Sequence, residues 1–225
     1  GVGIIVADSE DQGSLDAMAA DTRVLCTAAG PYQRYGSGVV AACAAHGTDY
    51  VDLAGETPWM KDMIEAHHAA AVASGARIVF AGGFDSVPSD LGVYLLQQTA
   101  IERHGSPMPR VRMRIRSMRG SGSGGSMATM RATTEAARED PSVLAALVDP
   151  FSLAGDFRGP EQPSGRERIE EQDFGGWSGP FMMAMINTKV VHRSNSLLDH
   201  RYGTDLVYDE MILLGPDPSA DSGDM

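Results

Sequence analysis

Short apolar runs alternate with segments of helical periodicity through the first 98 residues, and this alternation limits the fold more than any other feature. The runs occupy residues 1–8, 23–30, 50–55 and 77–82, and their length and β-branched content are typical of buried strands. Gly47 and Gly75 stand where the intervening helices would end. Strands alternating with helices of this length predict right-handed βαβ crossovers and a parallel sheet covered by helices.

The pattern changes beyond Pro109. Alternation at residues 111–117 predicts a strand whose arginines share one face, which indicates a solvated or anion-facing surface. Two helices are expected after it, one opened by the glycine-serine loop at 120–126 and one capped by Asp140-Pro141.

The last third of the chain predicts less regular structure. Residues 155–176 are polar and rich in glycine and proline, as in a loop or a mobile lid. Residues 187–192 have the pattern of a strand, and the tail from Gly215 is expected to be disordered. We therefore assign residues 1–98 to the parallel sheet and residues 99–225 to part of an α+β domain.

Composition and charge disfavour several classes of protein. Acidic residues outnumber basic ones by 30 to 18, and a formal charge of −12 disfavours nucleic acid as a partner. No apolar run reaches the length of a membrane span and no signal peptide is evident, so a cytoplasmic protein is expected. Cys26 and Cys43 stand among alanines, as small buried residues do. His67 and His68 would point about 100° apart on a helix, so no metal site is expected.

A glycine motif of the form GxGxxG is present at Gly120, Gly122 and Gly125. Dinucleotide binding by this motif requires a preceding strand, a following helix and a second parallel strand within one βαβ unit. Here the preceding strand carries arginines and two helices follow, so a flexible turn or a loop on the substrate side is the better interpretation.

Three loops would follow the strands of the parallel sheet, at residues 27–32, 53–56 and 82–86. Ligands of doubly wound sheets lie at the carboxyl ends of the strands, where glycines let a cofactor approach the backbone. The loops are therefore candidates for cofactor binding, although glycine and proline also simply end strands. Ser86 lacks the surroundings of a nucleophile elbow and is placed to cap the helix that begins near Pro88.

Four ordered motifs, at residues 26–36, 39–43, 46–56 and 83–92, resemble the saccharopine dehydrogenase-like oxidoreductases. Three later segments, at residues 117–126, 180–188 and 191–195, look like the trans-acting enoyl reductase branch known from mycobacteria. The resemblance covers almost the whole chain.

The resemblance implies an NAD- or NADP-dependent reductase that acts on a lipid or polyketide-type precursor, with peripheral membrane association among the expectations it carries. It implies a Rossmann domain followed by an α+β domain. By the same resemblance, cofactor contacts fall on Gly30, Pro31, Tyr32, Gly83, Phe84 and Asp85, with Asp8 and Ser9 near the adenine. The cofactor would supply the hydride, and the protein would orient it and exclude water.

Relatives of this kind begin with a strand and a glycine-rich turn, whereas this sequence enters at what would be the third strand. The expected fold class is therefore α/β, with an incomplete Rossmann-type parallel sheet whose first βαβ unit is missing, and the chain has the pattern of a fragment. In the usual strand order 3-2-1-4-5-6, two strands would separate the Ile4–Ala7 strand from the Val24–Thr27 strand. We expect these two strands to pair directly or the first to lack a proper neighbour.

The apolar segment at 181–186 provides the substrate hypothesis. Phe181, Met183 and Met185 would line a site for a lipid-like small molecule, with the 155–176 loop as its cover. Two other functions stay open: a scaffold or interaction module without catalysis, and an amino-acid dehydrogenase of the saccharopine dehydrogenase type.

Overall fold

The computed structural model describes residues 3–118 and 124–216. Within them, one compact unit comprises residues 3–84 and 124–148, and a second comprises residues 85–118 and 149–216. The predicted boundary at residue 98 falls inside a helix. The assignment of one part to the cofactor and the other to the substrate stays a prediction, since compactness does not show what a unit binds.

The structure alternates helices and strands as the α/β prediction requires. In chain order the elements are α1 Gln12–Ala20, β1 Val24–Cys26, α2 Tyr32–Tyr35, α3 Ser37–His46, β2 Asp49–Val51, α4 Thr57–Ser74, β3 Ile78–Val79, α5 Val87–His104, β4 Arg110–Ile115, α6 Gly124–Glu139, α7 Pro141–Val148, β5 Ile169–Glu171, β6 Gly176–Pro180, α8 Ala184–Leu197 and β7 Val207–Gly215.

In the first unit, β1, β2 and β3 form a parallel sheet in that order, as predicted. Helix α3 packs against α1 and α4 and buries Val40, Ala42, Cys43 and Ala44. Gly47 ends α3 in the left-handed conformation, at φ +73°, and its N–H bonds to the Cys43 carbonyl. The predicted helix stop is therefore confirmed, and it turns the chain directly into β2.

The segment Ile4–Ala7, predicted as a strand, is not one. It has no strand hydrogen bonds, and the side chains of Ile4 and Val6 are each 89% exposed. A β-branched run needs a partner strand for its backbone N–H and C=O groups. The sequence predicted that this segment would either pair with the Val24–Thr27 strand or lack a neighbouring strand. The structure shows the second outcome.

In the second unit, a mixed sheet has the strand order β4-β7-β6-β5. Strands β4 and β7 are parallel, and β6 is antiparallel to both β7 and β5. A buried apolar cluster includes Val93 of α5, Val111 of β4, Val191 of α8 and Tyr208 of β7. Helices α5 and α8 therefore pack on one face of this sheet.

Two predictions for this unit are corrected. Residues 187–192 belong to α8 rather than to a strand, and buried Asn187, Val191 and Asn195 follow the four-residue spacing of a helix face. Residues 155–176 are only partly a loop, because β5 and the start of β6 lie within them. The predicted disorder concerns a tail that, beyond residue 216, lies outside the described residues.

The prediction for the arginine face of β4 is also corrected. Arg110, Arg112 and Arg114 pair with carboxylates of the chain itself, and only Arg114 among them is also shielded from solvent. The Arg114 side chain is 2% exposed, and its Nη2 lies 2.6 Å from Glu171 Oε1 and 2.9 Å from Asp209 Oδ2. Phe174 places its ring under the guanidinium groups of Arg112 and Arg114, 5.2 and 5.6 Å from the ring centre. This face of the sheet is therefore neutralised internally.

No helix within residues 3–118 and 124–216 is long and apolar enough to cross a membrane.

Candidate functional site

The loops that follow β1, β2 and β3 meet at one edge of the parallel sheet in the first unit. Because the three strands run in the same direction, their carboxyl ends at Cys26, Val51 and Val79 lie at the same edge. The structure therefore brings together the predicted cofactor loops at 27–32 and 53–56 and residues 82–84 of the third, whereas residues 85 and 86 belong to the second unit. We call the loops at 27–32, 52–56 and 80–84 the strand-end loops.

The buried carboxylate of Asp52 joins two of the strand-end loops. Its Oδ1 accepts hydrogen bonds from the N–H groups of Ala54, at 3.0 Å, and Ala81, at 2.8 Å. Its Oδ2 accepts from the Tyr50 hydroxyl at 2.9 Å. Burial raises the pKa of Asp52, and the hydrogen bonds from Ala54, Ala81 and the Tyr50 hydroxyl act against that rise.

A second buried carboxylate, Glu56, joins the remaining loop to the same cluster. Oε1 accepts from the Tyr32 N–H at 2.9 Å and from the Thr129 hydroxyl of α6 at 3.2 Å, and Oε2 accepts from the Gly55 N–H at 3.1 Å. Glu56 is also the N-cap residue of α4, where a negative charge is favoured by the helix dipole. Neither Asp52 nor Glu56 was assigned a role from the sequence, although a buried strand followed by two acids is a usable signal.

Tyr32 links the first two strand-end loops through its hydroxyl group. Its hydroxyl donates to the Thr27 carbonyl at 3.0 Å and accepts from the Leu53 N–H at 3.2 Å, and burial raises its pKa. Its ring stacks on Trp59 at 5.7 Å between centroids. The Tyr32 side chain is thus occupied in holding the loops, so a cofactor contact at this position would involve the backbone.

Of the two glycines after β3, Gly82 is required by close packing, and Gly83 lies beside the flexible end of the Leu53 side chain. A Cβ on Gly82 would collide with Val51 Cγ2, and one on Gly83 would stand 2.6 Å from Leu53 Cδ2. Ala81, just before them, has a positive φ of 53°. The third loop is therefore packed closely against the second.

The remaining predicted cofactor residues are placed differently. Gly30 is exposed, Pro31 and Gly83 are half-buried, and Phe84 is 86% exposed. Asp85 opens the second unit. Asp8 and Ser9 lie in an exposed turn before α1, where Asp8 Oδ1 accepts from the Glu10 N–H at 2.9 Å, and not at the end of a strand.

A buried polar network follows the third loop in the second unit. Asn187 Nδ2 lies 2.9 Å from the Asp85 carbonyl, 2.9 Å from Glu210 Oε2 and 3.2 Å from Ser89 Oγ. Ser86 donates to Asn187 Oδ1 at 2.8 Å. Ser86 is the N-cap residue of α5, but its side chain makes no capping hydrogen bond. The predicted capping role is corrected in that respect, because the hydroxyl is used by Asn187.

Helix α8 buries two further titratable groups. Burial lowers the pKa of Lys189 to about 8 and that of His192 to about 4. The Lys189 ammonium donates to the Met185 carbonyl at 3.0 Å, and the His192 ring packs on Phe151 at 4.5 Å between centroids. His192 is therefore a neutral packing residue at pH 7.

The predicted substrate residues lie at the start of α8. Phe181 and Met183 are half-buried, and Met185 is 59% exposed. The segment is thus not closed core. Its role in substrate binding stays a prediction.

The structure describes only part of the GxGxxG motif. Gly120 and Gly122 of the GxGxxG motif lie outside the described residues, and Gly125 falls in the first turn of α6. In the part of the chain that the structure describes, no three metal-ligating side chains cluster.

The chain is similar to trans-acting enoyl reductases of mycobacteria. It is 43% identical over 221 residues to the protein named "Putative trans-acting enoyl reductase Rv2449c" of Mycobacterium tuberculosis, a match that covers 94% of this chain and 52% of that protein. It is 40% identical over 221 residues to the trans-acting enoyl reductase of Mycobacterium leprae, covering 94% of this chain and 53% of the relative. The same identity extends over 228 residues with the trans-acting enoyl reductase of Mycobacterium bovis, covering 96% and 54%. The chain therefore spans about half the length of these curated relatives. No family model and no solved structure matches it.

Proposed function

Because the chain is homologous to mycobacterial trans-acting enoyl reductases over 94% of its length, we propose that it serves a nicotinamide-dependent enoyl reduction. The homology supports an oxidoreductase, and the strand-end loops are the part of the chain that would face the cofactor.

The observation that carries this proposal is that hydrogen bonds hold the strand-end loops in place at the carboxyl ends of the parallel strands. Ligands of open α/β sheets bind outside the carboxyl ends of the strands. Here Asp52, Glu56 and the Tyr32 hydroxyl fix three loops at that position through hydrogen bonds of 2.8 to 3.2 Å. A pre-organised backbone of this kind loses little freedom when a flat ring binds to it.

The composition of the loops fits one end of the cofactor better than the other. Residues 27–32, 52–56 and 80–84 contain glycine and proline and no arginine or lysine. They suit the uncharged nicotinamide ring, which would supply the hydride, whereas a pyrophosphate would find no cation among them. In this proposal the chain orients the nicotinamide end through the backbone of Gly30, Pro31, Gly83 and Phe84.

The substrate would be a lipid or polyketide-type precursor, acted on in lipid biosynthesis. Met185, which is exposed at the start of α8, supports this, since a thioether side chain adapts to an apolar chain and needs no polar partner. Phe181 and Met183, half-buried beside it, would extend the same contact.

Saturation-transfer NMR with NADH and NADPH tests the cofactor proposal, because this method detects weak binding and identifies the ligand protons that touch the protein. We expect the nicotinamide protons to receive the largest saturation. Gly82→Ala should reduce that transfer at least fivefold, because the new Cβ would collide with Val51.

The matched control is Gly92→Ala, since a Cβ at Gly92 meets no atom within 4 Å. This variant should leave the transfer unchanged. Absence of transfer with both cofactors, or transfer confined to adenine protons, would contradict the proposed role of the strand-end loops.

A further inference from the structure

A groove lies between α5 and β4, and every residue that lines it belongs to the second unit. Its volume is about 320 Å³. An apolar cavity of roughly 150 Å³ holds benzene, so this groove has room for a chain of about eight carbon atoms with a small head group. None of its lining residues is assigned above to the cofactor or to the substrate.

One wall of the groove comes from a single face of α5. Leu96, Ala100 and Arg103 are spaced four and three residues apart, which places their side chains on the same side of a helix. Ala100 is 6% exposed and Leu96 is 58% exposed. The wall is therefore apolar at these two residues and carries a guanidinium near the end of the helix.

The opposite wall is held against α5 by a buried amide. Gln97 is fully buried, and its Nε2 donates to the Met108 carbonyl at 2.8 Å while its Oε1 accepts from the Met108 N–H at 2.8 Å. These bonds fix the segment that leads into β4, and Met108, which is 38% exposed, lines the groove. Because both walls are already in place, a ligand would lose little affinity to ordering them.

The arginines along the groove differ in how their charges are compensated. Arg110 and Arg112 form ion pairs with carboxylates of the second unit. Arg103 is exposed and makes no ion pair within the part of the chain that the structure describes. The groove therefore offers one uncompensated guanidinium next to an apolar wall.

The charge of the whole chain limits which anions can use this guanidinium. A formal charge of −12 repels free anions, and one exposed cation attracts an ion in water only weakly. A ligand that also covers Leu96 and Met108 with methylene groups has a second source of affinity. Since salt screens distant charges beyond about 8 Å, the head group of such a ligand would interact chiefly with Arg103.

We propose that this groove binds a single-chain anionic amphiphile, with its acyl chain along Leu96 and Met108 and its phosphate or carboxylate head at Arg103. The ligand binds as one molecule rather than as part of a bilayer, because the groove has a wall on each side of the chain. The inference is independent of the proposed function, since it uses neither the strand-end loops nor the start of α8.

NMR titration of the isotope-labelled full chain with octyl phosphate, kept below its micelle concentration, tests the proposal. We expect chemical-shift changes at residues 96–104 and 108–112. The affinity should be at least tenfold higher than for inorganic phosphate, which lacks the chain, and for octanol, which lacks the charge. Octyltrimethylammonium has the same chain with the opposite charge and should also bind at least tenfold more weakly.

Two pairs of variants separate the head-group contact from the chain contact. Arg103→Gln should lower the affinity for octyl phosphate at least fivefold and leave that for octanol unchanged. Its control, Arg166→Gln, removes the same charge from an exposed residue outside the groove and should have little effect. Leu96→Asn should weaken binding of both ligands at least threefold. Its control is Leu95→Asn, because Leu95 is 67% exposed on the same helix and does not line the groove.

Three results would overturn the proposal. The first is equal affinity for octyl phosphate and octyltrimethylammonium, or equal loss of affinity in Arg103→Gln and Arg166→Gln. The second is a set of shift changes confined to residues 181–186, which would assign the acyl chain to the start of α8. The third is association with phosphatidylglycerol vesicles without binding of monomeric octyl phosphate, which would assign the groove to a membrane surface.

Discussion

At the scale of single residues, the buried charges of this chain act on its own backbone and side chains. Asp52 and Glu56 accept hydrogen bonds from N–H groups of the strand-end loops, and Arg114 is enclosed by Glu171 and Asp209. A buried carboxylate or guanidinium loses much of its hydration, so it is tolerated only where such partners replace water. Removing one partner would therefore cost more than the interaction itself contributes.

The ion pair of Glu171 predicts a pH dependence. Its hydrogen bonds with Arg114 and Ser178 lower the pKa of Glu171 from 4.5 to about 2. Because the folded pKa lies below the unfolded one, the stabilisation is complete above pH 4.5 and is lost as the pH falls towards 2. We expect Glu171→Gln to lower the free energy of unfolding by about 3 kcal/mol at pH 7.

Urea unfolding of both proteins at several pH values measures this difference, which should shrink between pH 4.5 and 2. Glu170→Gln, an exposed change on the same strand, is the control and should have little effect at any pH. A difference that stays constant from pH 7 to 3 would mean that the charge of Glu171 is not what the arginines stabilise.

At the scale of elements, helix ends are set by glycines in the left-handed conformation. Gly47 and Gly75 end α3 and α4 with φ of +73° and +83°. They differ in their surroundings: a Cβ on Gly47 would stand 3.0 Å from the Ser74 carbonyl oxygen, and one on Gly75 would meet nothing within 4 Å. A substitution at Gly75 therefore tests the backbone conformation alone, whereas one at Gly47 tests the conformation together with packing.

Alanine substitutions at these two positions should differ in cost. Gly75→Ala should lower the free energy of unfolding by about 1 kcal/mol, the cost of a left-handed backbone for a residue with a Cβ. Gly47→Ala should cost about 2 kcal/mol, because the neighbouring turn must also move. Thermal or urea unfolding of the two variants measures both values, and equal costs would rule out the contribution of the Ser74 contact.

Elements with local signals could be predicted from the sequence, and those that depend on distant partners could not. The glycine stops and apolar spacing of α3 and α4 are contained in the segments themselves. The strand predicted at 4–7 needs a neighbour that its own residues cannot provide. Residues 187–192 alternate in a way that suits a strand, but Asn187 and His192 are buried by partners far away in sequence, on a helix face.

The candidate site divides in the same way. The positions of the strand-end loops followed from the strand pattern, because parallel strands end at one edge. The links between them did not, since the approach of Asp52 to Ala81 depends on the strand register and on where a side chain turns. Ser86 is the clearest case of a role that local sequence did not predict. Its position before α5 predicted that its hydroxyl would cap the helix, but the hydroxyl donates to the distant Asn187 instead.

At the scale of the whole molecule, the acidic surface and the apolar start of α8 have different consequences for a substrate. A net charge of −12 repels free anions. If an acyl chain binds through Phe181, Met183 and Met185 as proposed, its affinity would come from its methylene groups instead, at about 0.8 kcal/mol for each one fully buried.

We therefore expect affinity for straight-chain enoyl thioesters to rise with chain length, by up to about fourfold for each methylene group. Met185→Asp should remove this dependence, because an acyl chain would have to desolvate the new carboxylate. Met127→Asp is the matched control, since Met127 of α6 is 55% exposed and Met185 is 59% exposed. Calorimetric titration with a series of thioesters measures the dependence, and an unchanged slope in Met185→Asp would exclude this segment as the acyl contact.

The glycine stops also have a practical consequence for work on this chain. In the first unit they deliver the chain to the amino ends of β2 and β3, whereas the strand-end loops lie at the carboxyl ends. Gly75 is exposed and its neighbourhood is open. A peptide tag or fluorescent reporter inserted after Gly75 would therefore sit on the side of the sheet away from the candidate site, where it could report on unfolding without obstructing a ligand.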